Sequence, residues 1–212
     1  AAVRLQLLAD DGQHAAHDID LLEPGPVVDP CFEIAQRGDA PVDIAAEVVG
    51  LESDPRVVRT IVGQVAVATT PGQVRRVRLI PDDPPAADGV VEAIEAADAV
   101  VLGPGSWFTS VIPNVLVPAI ADALARTTAR KILVLNLAPQ PGETAGFSAE
   151  RHLHVLRQHA QDVDVDVVVV DPRMQLSAAE RDHLDRAARG LGATVLTAEV
   201  ARTAADGTMR PV

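Results

Sequence analysis

Aromatic residues are nearly missing from this chain: one Trp, three Phe and no Tyr, 2% of 212 residues. With 48% hydrophobic content, its core must be built from Val, Leu, Ile and Ala. A single cysteine, Cys31, rules out an internal disulfide and fits a reducing compartment. No apolar run reaches the ~18 residues of a membrane span, and the N-terminus lacks a basic-apolar signal pattern. A cytoplasmic location without membrane insertion is therefore expected. Positive charge is scarce as well: the formal net charge is −12 and Lys131 is the only lysine. The one basic run, Val74-Arg75-Arg76-Val77-Arg78, alternates like a strand, so nucleic acid is not an expected partner. There is no H-E-x-x-H, no Cys/His pair, no G-x-S-x-G elbow, no Walker sequence and no G-x-G-x-x-G. These absences argue against a dedicated metal centre, a serine hydrolase and the standard dinucleotide fingerprint, and no cofactor is expected.

What is present reads as one α/β domain. Ala2–Leu8 fits a strand or a short helix, and His14–Pro30 has the Asp, Pro and Gly of a loop. Gln64–Thr69 and Val74–Ile80 are β-type runs around Thr70-Pro71-Gly72-Gln73, which predicts a hairpin. Val74, Val77 and Leu79 break its alternation. Beyond the proline-rich stretch 81–87 the pattern becomes strand–helix alternation. Strands are predicted at 99–102, 132–136, 165–170 and 193–197. Helices are predicted at 88–97, from Pro118 to Arg126, from Ala149 behind Ser148, and from the capping-box spacing Ser177-Ala178-Ala179-Glu180 to Arg189. Short connections and non-alternating strands imply a Rossmann-like, mostly parallel sheet with helices on both faces, plus the hairpin. His152 and His159, seven apart, share one face of the 149–158 helix, and His154 does not; the reading is a surface helix rather than a metal site.

Ligands of open parallel sheets bind beyond the carboxyl ends of the strands, which singles out two loops. In the first, a buried strand runs into Gly103-Pro104-Gly105-Ser106, followed by Trp107, Phe108, Thr109, Ser110 and Asn114. Gly105 lets its backbone N–H approach an anion, and Ser106, Thr109 and Ser110 add hydroxyls. These parts suit a phosphate or diphosphate; they also suit a tight strand-to-helix turn with no ligand. In the second loop, Asn136, Gly142, Glu143 and Thr144 offer amide, carboxylate and hydroxyl groups to sugar or ribose hydroxyls. Taken alone, Glu143 reads as a solvated loop carboxylate or a helix-dipole partner rather than a ligand group.

Gly103 through Pro118, Leu135-Asn136-Leu137 and Gln140 through Phe147 resemble the C-terminal half of YvcK-type gluconeogenesis factors, relatives of the CofD phospholactate transferases. Gly50 through Arg56 and Ala68 through Gly72 are similar to the actinobacterial form of that family, so the resemblance runs over roughly residues 41–210. It implies a non-catalytic binder of a nucleotide sugar such as UDP-N-acetylglucosamine, linking carbon metabolism to cell-wall synthesis and cell shape. A CofD-like transferase, in which Mg²⁺ enters, and a non-binding partial member or scaffold are the alternatives. A homo-oligomer is compatible with either. Family members open with a glycine-rich GGGTGL-like loop that this chain lacks. Residues 1–40 are accordingly read as a truncated or divergent segment, and 41–212 as the domain.

Overall fold

The computed structural model describes residues 2–5, 42–140, 143–203 and 209–211. Chain order runs β1 (Ala2–Leu5), β2 (Asp43–Val49), β3 (Val58–Val62), α1 (Gln64–Ala68), β4 (Gln73–Ile80), α2 (Val90–Ala96) and β5 (Ala99–Leu102). A π-helical turn (Trp107–Val111) then leads into α3 (Ile112–Leu116), α4 (Pro118–Arg126), β6 (Arg130–Val134), α5 (Ala149–His159) and β7 (Val167–Val170). A 3-10 turn (Pro172–Met174), α6 (Ala178–Gly190), β8 (Thr194–Thr197), β9 (Ala201–Thr203) and β10 (Met209–Pro211) complete it.

The main sheet has the order β1-β5-β6-β7-β8, with every neighbour parallel. The four parallel strands expected from sequence are all there, with ends shifted by at most two residues. Ala2–Leu5 resolves to a strand, whereas the expected loop His14–Pro30 lies outside the described residues. From β5 to β8 the chain steps one place at a time in one direction, and right-handed crossovers of that kind deliver their helices to the same face, so among the described residues the helices expected on both faces pack on one. On that face Val100, Leu102, Leu133, Leu135, Val168 and Val170 join one core with residues of α2 to α6, among them Ile94, Ile120, Leu153 and Leu184. The other face carries a smaller cluster of Val134 and Val169 with Val200, flanked by Val101, Ile132, Val167 and Ala198.

A second, antiparallel sheet has the order β3-β2-β4. The expected hairpin of Gln64–Thr69 with Val74–Ile80 does not form. Gln64–Ala68 is helical, and β4 pairs with β2 instead. Val65 and Val67 alternate as in a strand, but two residues apart on a helix they point to opposite sides. Accordingly Val67 is fully buried and Val65 is 76% exposed. The broken alternation in β4 is a bulge. The register passes from Glu47↔Arg76 to Val48↔Val74, so Arg75 is the extra residue and both Val74 and Val77 turn inward.

Helix ends follow their local signals unevenly. Ser177 and Glu180 form the expected capping box, and Pro118 opens α4. Ser148 occupies the N-cap position of α5 without a side-chain cap bond. That helix is not a surface helix at His152, which is 5% exposed. His152 falls within the apolar stripe of Ala149, Leu153 and Leu156, and so is carried into the core. Among the described residues, no single helix is long and apolar enough to cross a membrane.

Candidate functional site

The two loops singled out from sequence leave neighbouring strands, β5 and β6, at the same edge of the sheet. The first is pinned at its start. Gly103 has φ +74, and a Cβ there would lie 2.8 Å from the Val134 carbonyl oxygen, so only glycine fits beside the end of β6. Past Ser106 the chain becomes helical at once. The Ser106 carbonyl accepts from both the Ser110 N–H (2.8 Å) and the Val111 N–H (2.9 Å), which widens the first turn to π geometry. The helix start behind the glycine loop is therefore at Trp107, not at Pro118 as the sequence implied.

Glu143, from the second loop, sits at this helix start. Its carboxylate accepts from the Phe108 N–H (3.0 Å) and from the Thr109 hydroxyl (2.6 Å), and the residue is 4% exposed. Of the roles open to Glu143, the helix-dipole partner is the one the geometry displays. Asn136 bridges the loops a second time. Its Oδ1 accepts from the Gly105 N–H (3.0 Å) and its Nδ2 donates to the Gly105 carbonyl (2.8 Å), as a neighbouring strand would. The Gly105 N–H, expected to face an anion, thus has a protein partner. Asn136 Nδ2 also reaches Gln140 Oε1 at 3.3 Å.

The remaining sequence candidates divide by depth. Thr144 is buried, accepting from the Gln140 N–H at 2.8 Å. Asn114 is buried, donating to the Ser110 carbonyl at 2.7 Å, while its Oδ1 has no partner. Thr109 and Ser110 are buried as well, and the Thr109 carbonyl accepts from Gln64 Nε2 of α1 at 3.3 Å. Pro104, Gly105, Ser106 and Asn136 are half-buried and form the rim, joined by Gln140. Gly142 lies outside the described residues. The structure thus brings the two groups of candidates together. It gives the rim the access a ligand needs and makes Thr109, Ser110, Asn114, Glu143 and Thr144 the foundation.

Beneath the loops lies a cluster that sequence reading did not assemble. The His152 ring meets Trp107 edge-on at 4.9 Å and Phe147 at 5.3 Å, and Phe108 meets Phe147 at 6.0 Å. Arg151 lies over the Phe147 ring at 4.2 Å. Trp107 and Phe108 are 1% and 0% exposed, so they pack the loop and offer no stacking platform. Burial holds the His152 and His159 imidazoles below their ordinary pKa, against the opposing pull of the Ser148 and Val155 carbonyls. The signal that finds His152 is the apolar stripe of α5, in which it occupies a core position.

A family model described as 2-phospho-L-lactate transferase CofD matches residues 33–201. A putative gluconeogenesis factor of Mycobacterium tuberculosis is 62% identical over 161 residues, 76% of this chain and 47% of that protein. A putative gluconeogenesis factor of Deinococcus radiodurans is 36% identical over 154 residues, 72% of this chain and 32% of that one. A crystal structure of a UPF0052 family member from Bacillus halodurans superposes with a TM-score of 0.67 at 27% identity, covering 84% of this chain and 57% of that one. The chain spans about half the length, or less, of the curated relatives it matches.

Proposed function

This chain belongs to the CofD family, and from that premise we propose that it binds a nucleotide sugar of the UDP-N-acetylglucosamine type at the rim of its two strand-end loops. The proposed role is regulatory and cytoplasmic, tying carbon metabolism during gluconeogenic growth to cell-wall synthesis and cell shape. Its relatives' name, gluconeogenesis factor, supports the metabolic half of that reading.

The observation that carries it is the latch between Asn136 and Gly105, at the carboxyl ends of adjacent parallel strands. Latching fixes Pro104–Ser106 and Gln140 as one rim where ligands of open α/β sheets bind. Because Glu143 already holds the Phe108 N–H, a diphosphate would rest on the rim around Ser106 and not deeper in the helix. Sugar or ribose hydroxyls would fall to Gln140 and to the lone pairs of Asn136 left over from the latch.

Calorimetric titration of the chain with UDP-N-acetylglucosamine, beside GDP, tests the reading. Saturable binding of the first is expected, weakened roughly tenfold in Asn136→Ala by loss of the neutral latch, about 1–2 kcal/mol. Heats of mixing alone for both nucleotides would sink it. The CofD description of the matching model favours a second reading, a phospholactyl transferase. Release of GMP in the presence of a deazaflavin acceptor would select that reading over pure binding.

A further inference from the structure

We infer that His152 and His159 are positioning residues for the strand-end loops, working as neutral imidazoles that lock α5 under the loop helix and against β4. The loop arrangement itself follows from the geometry above. The consequence for ligand affinity rests on the binding reading just proposed.

The two rings are two helical turns apart on one face and repeat one design. His152 Nδ1 is 3.0 Å from the Ser148 carbonyl, and His159 Nδ1 is 2.8 Å from the Val155 carbonyl. A carbonyl only accepts, so in both rings Nδ1 carries the hydrogen and Nε2 presents a lone pair. At His159 that lone pair accepts from the Val77 N–H of β4 at 3.2 Å. This bond satisfies one N–H of β4, the outer strand of the antiparallel sheet. At His152 it lies buried between Trp107 and Phe147, with no hydrogen-bond partner. The His159 ring also stands 6.4 Å from Phe108. One face of α5 therefore touches the first two residues of the loop helix, Phe147 of the second loop, and the antiparallel sheet.

The neutral state is required by the surroundings. A proton on His159 Nε2 would oppose the Val77 N–H, donor against donor. A proton on His152 Nε2 would put a charged N–H into an aromatic pocket. Arg151 on α5 acts on His152 and Arg76 on β4 acts on His159, and both cations disfavour a further positive charge. From the second loop, Glu143 is committed to Phe108 and Thr109. Between α5 and α6, Glu150 faces His183 at 3.9 Å, and Arg157 is held by Asp164 at 3.0 Å. The α3 segment brings no titratable side chain.

Trp107 is the only tryptophan, so its fluorescence reads the His152 contact directly. In the ligand-free chain, titration from pH 8 to pH 5 should quench and shift that emission as the imidazoles protonate, with a midpoint below the ordinary value near 6.5. His152→Asn keeps a donor for the Ser148 carbonyl but cannot take the proton, and should flatten the titration while leaving circular dichroism unchanged. For His159, Gln preserves an acceptor for the Val77 N–H and Leu does not. At pH 8, His159→Leu should bind UDP-N-acetylglucosamine roughly tenfold more weakly than wild type, with His159→Gln recovering most of the loss. A wild-type emission midpoint at or above ~6.5, or emission in His152→Asn that titrates as wild type does, would overturn the inference. So would a Leu variant that binds as wild type does. A wild-type chain that binds no UDP-N-acetylglucosamine sinks the ligand reading alone, and the fluorescence titration then decides the positioning role by itself.

Discussion

The starts of α6 and of the helical turn at Trp107 both meet a carboxylate, and they do so in opposite ways. At the start of α6, Glu180 reaches back three residues to the Ser177 N–H (2.8 Å) while the Ser177 hydroxyl accepts from the Glu180 N–H (3.3 Å), all in solvent. At Trp107, the carboxylate comes from Glu143, thirty-five residues beyond the Phe108 it holds, and is buried. The first is a local cap that fixes one helix end. The second joins two loops, and the low local dielectric raises both its strength and the cost of losing it. The carboxylate at α6 serves its own helix, and that at Trp107 serves the architecture of the candidate site.

Removing each tests that distinction. Glu143→Ala should have the largest effect. It strips acceptors from a buried N–H and a buried hydroxyl, a loss of about 1.5–3 kcal/mol for bonds to a charged group. For a chain of this size that is a fall in Tm on the order of 5 °C, accompanied by weakened nucleotide-sugar binding. A Tm within a degree of wild type would show that the loops stand without this bridge. Ser177→Ala should cost about 1 kcal/mol, the ordinary worth of an N-cap, and should leave ligand affinity alone. A drop in affinity there would erase the contrast between local and architectural caps. The smallest effect belongs to pH. The Ser177 hydroxyl and N–H hold the Glu180 carboxyl below its ordinary value of 4.5. Its contribution is thus complete above that value and is lost as pH falls through the lowered one. An α6 amide NMR titration in Ser177→Ala should move the Glu180 midpoint upward.

The same contrast explains which parts of the protein were legible in its sequence. A capping box lies within four residues, and a run such as Val167–Val170 declares a buried strand by itself. Both need only neighbours in the chain. The helical turn at Trp107–Val111 was not legible, because Thr109, Ser110, Val111 and Pro113 look like loop residues until Glu143 is brought to them from afar. Gln64–Ala68 departs from the expected strand for a related reason. Its Val65/Val67 alternation suits a strand, and only its packing, with Val67 inside and Val65 outside, selects the helix. Which face of the sheet each helix takes depends on strand order, which no single segment carries. The candidate loops themselves were legible from their place after strands; the partition into rim and foundation was not. It depends on hydrogen bonds such as Asn136 to Gly105 that span thirty-one residues.

Those long-range bonds have a consequence for hydrogen exchange. The amide protons of Gly105 and Phe108 are shielded by side chains of the opposite loop, not by a carbonyl of their own turn. Fraying of the helix start would therefore not release them. Each becomes labile only when the two loops part, so the two protons should exchange through one shared opening, with closely matched protection factors. Exchange at these two sites would then time the opening of the candidate cleft as a unit, a motion that the individual elements do not report.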